Sequence, residues 1–520
     1  MSKKSKIQLG FLHKLLSAEV PNMKKVLNLL VVLLVFLVFS CSSSKSENDT
    51  DIIPDSDADS DVIETVDDDS DSQSHEIVDD SDDVSDFDDS DSDETPSCEE
   101  EDEEEFDDED IITNYTRCYD EIPDEPYEGF FADPNLEYWV KRSLNKDDDY
   151  ELTEEDLEKV KNVQMYSKDI RGIEKLVNLK SLRISGGNVY DFSPLSKLEN
   201  LKEMRIDGKN IDCLDESFAL LTNLETLEIV ETKLTDVSPI GQLTNLTSLE
   251  LSYNKIESLP RSIRNLQKLE WLAFDDNKIN SLKPIKTLVK LKQLFFHHNH
   301  VENLSPIKCL VNLTRLGCNG NNIKNLAPII NLANLTYLGL DQNRIEKIPE
   351  QIENLKKLQE IDLTFNNISN LPNLKGLDSL VTLRLSNNEL NNADLIKLDN
   401  LESVKFLYIA LNKITKVPVM KNLKSLQELY LNYNSITDLS GFADNESFPA
   451  LKRLDVGSNK IENVEAFRNR EGLSSLYVDK NCIKDFSPLE ELQERGTYVG
   501  GMNEQLESCG DKQITSEDGE

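Results

Sequence analysis

The chain has 520 residues, 38% hydrophobic and 30% charged, with a formal net charge of −43. So acidic a polypeptide repels phosphate backbones, which excludes nucleic acid as the expected partner. The charge is unevenly spread: Ser46 to Thr116 holds 34 Asp and Glu with no Lys or Arg, leaving about −9 for everything else.

At the N-terminus, Met23-Lys24-Lys25 opens onto an apolar run from Val26 to Phe39, followed by Ser40-Cys41-Ser42. Basic residues, a short apolar stretch and a small residue before the cut predict a secretory signal over residues 1–40, with Met23 as the true start. The run falls short of the about 20 apolar residues that span a bilayer. Val38-Phe39-Ser40-Cys41 resembles a bacterial lipobox. That resemblance implies lipidation of Cys41 and a membrane tether, with an uncleaved anchor or a plain signal as the alternatives. Ser42 rather than aspartate after the cysteine implies, in the same resemblance, the outer membrane of an exported bacterial protein.

Residues 41–121 form the next segment. Runs such as Asp79-Asp80-Ser81-Asp82-Asp83 bury no core and repel themselves, so a disordered, extended Asp/Ser/Glu-rich linker is predicted. Its expected role is a stalk. Weak, multi-site Ca²⁺ accumulation is the alternative, since carboxylates are suitable hard ligands but nothing fixes their geometry.

Residues 122–158 read as an N-terminal helical cap. Leu136, Trp139, Val140 and Leu144 share one helical face, and Thr153 with Asp156 has capping-box spacing. Asn145 to Asp156 also places oxygen donors as an EF-hand loop does. However, Tyr150 stands where that loop needs glycine, and Asp156 is shorter than the bidentate glutamate. The cap explains the same residues with fewer demands.

Residues 159–490 repeat. The spacing L-x-x-L-x-L-x-x-N-x-I recurs about fifteen times, as in Leu246, Leu249, Leu251, Asn254, Ile256. Its asparagine returns at 254, 277, 299, 321, 343, 366, 388, 412, 434, 459 and 481. A fixed period of this size predicts a solenoid whose units bury their apolar faces only against neighbours. Leu249 and Leu251 alternate inward on a short strand, so Ser248, Glu250 and Ser252 face out. Asn254 follows where the chain turns; its amide both donates and accepts, and stacked copies predict an asparagine ladder. Lys168, Gly187, Lys209 and Thr232 take its place in early copies, predicting a weaker ladder there. The second half of each unit, such as Asp236-Val237-Ser238-Pro239-Ile240, predicts a short helix with serine as N-cap and proline in first position. At about 4.8 Å per strand, fifteen units give an inner arc of roughly 70 Å.

From roughly Phe130 to Cys509 these residues resemble the bacterial leucine-rich-repeat family with internalin-like, 22-residue units, and Asp133 to Val140 resembles its N-terminal cap. The resemblance implies an α/β solenoid: a leucine-rich-repeat horseshoe with a parallel concave sheet. It says less about function, because the family hosts adhesins, receptors and scaffolds alike.

Among the eight cysteines, a Cys482–Cys509 bridge would pin the C-terminal cap and tail, residues 491–520, over the last repeat. Cys98 with Cys118 would staple the linker to the N-terminal cap. Cys318 and Cys213 are expected to be small buried hydrophobes, with a Cys309–Cys318 bridge less favoured. No C-x-x-C pair or Cys/His cluster predicts zinc.

The outward strand positions carry Tyr253, Trp271, Phe295, His297, His298, Tyr337, Phe365, Phe406, Tyr408, Tyr430, Tyr433 and Tyr477. Folding does not require aromatics there, and Tyr and Trp are the side chains most enriched at interface hot spots. Cross-strand pairing is the competing explanation. Trp271 with Phe295 and His297 is the first anchor cluster, Tyr408 with Tyr430 the second. His297, His298 and His300 read as surface histidines, not a metal motif. Asn-Leu-Thr at 245, 312 and 334 is repeat consensus rather than a glycosylation signal. No nucleophile triad or phosphate-cradling glycine loop stands out, so neither catalysis nor a cofactor is expected. The expected function is that of a non-catalytic, membrane-tethered protein binding a protein ligand on its concave face, in adhesion or recognition. An envelope scaffold with a cation-sequestering stalk is the alternative.

Overall fold

The computed structural model describes residues 126–509, apart from 187, 188, 190, 209 and 210. The signal, Cys41, the acidic linker, the Cys98–Cys118 pairing and the Gly187 and Lys209 positions lie outside the described residues.

Two helices begin the described chain: α1 (Pro134–Ser143) and α2 (Glu154–Lys159). Sixteen strands follow, starting with β1 (Asn162–Met165), β2 (Ser181–Ser185), β3 (Glu203–Asp207), β4 (Thr226–Val230) and β5 (Ser248–Glu250). The middle strands are β6 (Trp271–Ala273), β7 (Gln293–Phe295), β8 (Arg315–Gly317), β9 (Tyr337–Gly339), β10 (Glu360–Asp362) and β11 (Thr382–Arg384). The last are β12 (Phe406–Tyr408), β13 (Glu428–Tyr430), β14 (Arg453–Asp455), β15 (Ser475–Tyr477) and β16 (Tyr498–Gly500). All lie in one sheet in sequence order, each parallel to the next. The chain is a leucine-rich-repeat solenoid. Alternation sends the middle residue of each three-residue strand inward: Leu249, Leu272, Leu294, Leu316 and Leu338 are all at most 1% exposed. Together with the repeat's other leucines and isoleucines they make one continuous core along the stack.

The second halves of the units are the expected tight, short helical segments, and they wind as 3₁₀ turns, such as Ser238–Gln242 and Ser305–Ile307. A unit of 22 or 23 residues that also holds a strand and two turns leaves about five residues, which suits 3₁₀ winding. Serine is not the cap. Asp236 Oδ1 accepts from Ser238 N at 2.8 Å, and Asn303 Oδ1 from Ser305 N at 2.8 Å, so the acid or amide two residues earlier does that work. Two later segments are α-helical: α3 (Asn392–Lys397) and α4 (Ser487–Glu494).

The asparagine ladder forms as expected. Asn277 Nδ2 donates to the carbonyls of Leu251, Phe274 and Asp275 at 2.9–3.1 Å, while its Oδ1 accepts from Ile256 N at 3.0 Å. The same set recurs at Asn299, Asn343 and Asn481. Each rung pairs backbone groups of two repeats that would otherwise be buried unsatisfied. Thr232 continues it by donating its hydroxyl to Asn254 Oδ1. Gln505 supplies a rung at the other end: its Nε2 reaches Val478 O at 2.9 Å, and its Oε1 accepts from Ile483 N at 3.3 Å. The sequon asparagines form an outer series, with Asn245, Asn312 and Asn334 donating to carbonyls of the preceding repeat at 2.8–2.9 Å.

Both ends are closed. In α1, Leu136 and Val140 are fully buried and Trp139 and Leu144 pack partly against the core. Thr153 and Asp156 form the capping box of α2. Asp156 Oδ2 takes the Thr153 hydroxyl at 2.8 Å and the Tyr150 hydroxyl at 2.9 Å, which holds its carboxyl down to about 2. At the other end, Cys482 and Cys509 form the expected disulfide, and α4 with β16 extends the sheet by a strand drawn from residues assigned to the cap. Cys318 is free and buried, its thiol donating to Gly339 O at 3.2 Å. Cys213 is half-buried and disulfide-bonded rather than a buried free thiol. Cys309 is also disulfide-bonded, but not to Cys318.

Candidate binding face

Each three-residue strand turns its first and third side chains to the concave side. Register sets these into two rows that run along the solenoid. In the first row Trp271, Gln293, Arg315 and Tyr337 lie abreast, followed by Glu360, Thr382, Phe406, Glu428 and Arg453. In the second, Ala273, Phe295, Gly317 and Gly339 lead to Asp362, Arg384, Tyr408, Tyr430, Asp455 and Tyr477.

The expected aromatics divide into two groups. Trp271 and Phe295 have ring centroids 6.4 Å apart, and Phe295 lies 6.0 Å from His297. Gly317 makes room for this group: a Cβ there would sit 2.5 Å from His297 Nε2 and 2.7 Å from Phe295 Cδ1. Gly339 does the same for Tyr337, whose hydroxyl would lie 2.7 Å from an added Cβ. The second group begins with Tyr408 and Tyr430, stacked at 4.7 Å with 9° between their planes. Arg384 caps Tyr408 at 5.2 Å, while Arg453 lies between Tyr430 at 5.5 Å and Tyr477 at 4.9 Å. Tyr430 also donates its hydroxyl to Glu428 Oε2 at 2.7 Å, and this bond together with burial raises its pKa. Tyr337, between the groups, is capped by Arg315 at 4.5 Å, and burial pushes its phenol up to about 12.

Tyr253, His298, Phe365 and Tyr433 stand just past the strands, each immediately before a ladder asparagine, with φ between 51° and 60°. That left-handed residue recurs in successive units, and Gly320 takes it in one. Tyr253 is 57% exposed and Phe365 48%.

His297 is not the surface histidine expected. It is half-buried in a second ladder, in which the side chain of one repeat accepts from the backbone N–H of the next. Ser252 Oγ accepts from Asp275 N at 2.9 Å, Asp275 Oδ1 from His297 N at 2.6 Å, His297 Nδ1 from Asn319 N at 3.1 Å, and Asn319 Oδ1 from Asp341 N at 3.1 Å. Burial, with His298 beside it, lowers the imidazole to about 4. Burial raises Asp275 to about 7 against the bond from His297, with Glu250 and Asp276 adding repulsion. Asp341 is also raised to about 7 by burial and by Asp362, and its buried Oδ1 has no hydrogen-bond partner.

Tyr166 and Tyr498 are exposed rings outside the expected set. Tyr498 of β16 is 60% exposed and 5.8 Å from Tyr477, extending the second group by a strand. The alternation Tyr498-Val499-Gly500 was the available signal, but it lacks the leucine spacing of the other units.

Residues 298–498 match a family model described as a leucine-rich repeat region, and residues 222–265 one described as leucine rich repeats in two copies. No curated protein matches the chain. Among solved structures it is similar to an internalin (InlF) of Listeria monocytogenes, with 25% identity over 71% of this chain and 95% of that one, at a TM-score of 0.52. It is also similar to the functional domain of InlJ from the same organism, with 25% identity over 70% of this chain and 77% of that one, at 0.58. A leucine-rich-repeat protein of Leptospira interrogans shares the fold at 24% identity, covering 66% of this chain and 97% of that one, at 0.57.

Proposed function

We propose that this leucine-rich-repeat chain, internalin-like in its structural neighbours, is a non-catalytic, exported and lipid-tethered protein that grips a protein partner on its concave face. The observation that carries this reading is the aromatic rows that register sets side by side on one face of the sheet. A solenoid's inner surface commonly serves recognition, and exposed aromatics at its centre are the usual anchors. Tyr253, Trp271, Phe295 and His297 form one anchoring region; Tyr337, Tyr408, Tyr430 and Tyr477 form another, with Phe365 and Tyr433 at the margin.

The Cys482–Cys509 bridge suits an oxidising compartment. No described helix is long and apolar enough to cross a membrane; the proposed attachment is through the lipobox-like segment ending at Cys41. The acidic linker is then the stalk between lipid and solenoid. The test is capture of surface or envelope proteins by the immobilised full-length chain. Trp271→Ala with Phe295→Ala, folding intact by circular dichroism, removes the captured species. An unchanged set of species refutes concave binding. Labelled palmitate enters the parent and not Cys41→Ala; equal labelling refutes the tether.

A further inference from the structure

The two aromatic groups differ in what lies over their rings. Tyr337, Tyr408, Tyr430 and Tyr477 each have an arginine of this same chain within 4.5–5.5 Å of the ring centroid. Among the described residues, no lysine or arginine is stacked over Trp271, Phe295 or Tyr253, the rings at the β5–β7 end. Indole and phenyl faces attract cations as strongly as phenol faces do. The cation is supplied internally for those four tyrosines, and that face is open on Trp271, Phe295 and Tyr253.

The same open rings are bordered by carboxyl groups. Tyr253 N donates to Asp275 O at 2.8 Å, and its phenol is raised by burial first and then by Asp276, Asp275, Glu231 and Glu250. Glu250 lies in register with Ala273, on the strand that Trp271 begins. The nearby arginine, Arg205, is already paired with Asp207 and Glu228. These carboxylates do not converge: no group of three or more His, Cys, Asp or Glu side chains among the described residues could hold a metal ion. They are spread over successive strands about 4.8 Å apart, a spacing an extended polypeptide can follow.

We infer that the β4–β7 stretch of the concave face receives a basic, extended segment of the protein partner, its lysine or arginine side chains set against Trp271, Phe295 and Tyr253 and balanced by Glu250, Asp275 and Asp276. The inference rests on the proposed function, and it names the chemistry of the partner at one end of the face.

The chain has two tryptophans, so Trp139→Phe leaves Trp271 as a local reporter in the full-length protein. Titration with octa-arginine gives a saturable change in Trp271 fluorescence, which octa-glutamate and Ca²⁺ do not reproduce. Peptide held by the acidic linker is common to all variants and distant in sequence from the reporter. Glu250→Gln, Asp275→Asn and Asp276→Asn together raise the half-saturation concentration at least tenfold. Asp276→Asn alone, a milder change should the triple variant unfold, raises it two- to threefold. A silent Trp271, an equal response in the neutralised variants, or the same response to Ca²⁺ overturns the inference. The two readings separate in the capture experiment. Loss of captured protein with Trp271→Ala and Phe295→Ala but not with the neutralised variant sinks the basic segment and keeps concave binding; loss with neither sinks both.

Discussion

The two ends of the concave face are built from the same strand repeat and carry similar numbers of rings, yet they differ in rigidity and charge. Toward the C-terminus, Arg384 and Arg453 interleave with Tyr408, Tyr430 and Tyr477, and Glu360 and Glu428 hold Arg384 and Tyr430 in turn. Tyr408, Tyr430 and Tyr477 are thus held by contacts within the chain before any partner arrives. At β5–β7, Phe295 and His297 crowd over Gly317 with Trp271 beside Phe295, carboxylates are close by, and no guanidinium is stacked on the rings. A preorganised patch spends little entropy on binding, whereas an unbalanced one gains more from a complementary charge. Recognition therefore divides: shape toward one end, charge at the other.

The largest expected effect breaks the comparison at its rigid end. Arg453→Ala removes a guanidinium shared by two rings and lowers stability by about 1–2 kcal/mol, whereas Gln293→Ala, in register with Trp271 at the open end, costs less. Urea melts of both variants, showing equal losses, would erase the proposed difference. Next come the carboxylates. Asp275 and Asp341 sit near 7 in the fold against an ordinary 3.8, so the folded chain holds protons that the unfolded chain has released. Stability therefore falls as pH rises from about 4 to about 7 and stays low above that. Asp275→Asn with Asp341→Asn leaves stability unchanged near pH 4 and raises it at pH 8 by on the order of 1 kcal/mol, allowing for solvent screening. His297, lowered to about 4, has the opposite sign: stability is lost as pH falls from about 6.5 toward 4. His297→Asn removes that acid-side loss, which denaturation midpoints at pH 4.5 and 7.5 would reveal.

Two smaller tests sharpen the contrast. Gln293 lies in register with Trp271, as Arg315 does with Tyr337. Gln293→Arg supplies the missing cation from within and weakens the octa-arginine response of Trp271 several-fold; an unchanged titration counts against the open-face reading. Tyr498→Ala, at the exposed end of the tyrosine row, changes the unfolding free energy from urea melts by no more than about 0.5 kcal/mol.

Much of this molecule was legible one repeat at a time. The leucine spacing, the ladder asparagines and the capping box of Thr153 and Asp156 depend on contacts within a few residues or on copies one period away, so a single line of sequence displays them. The 3₁₀ turns were less legible, because Ser-Pro is compatible with an α-helix or a tighter turn, and only the room left in each coil selects between them. The rung supplied by Gln505 escaped because a longer amide reached the same carbonyl from outside the repeat. His297 read as a surface residue because nothing local reveals that Asn319 N–H points at its Nδ1.

By itself the sequence determined the solenoid, its closed ends and which side chains could reach the concave side, since strand alternation follows from local chain geometry. Tertiary structure alone decided which rings are capped and which are open. Arg453 meets Tyr430 and Tyr477 only through the register of three successive strands, and that register is set by the packing of whole coils rather than by neighbours along the chain.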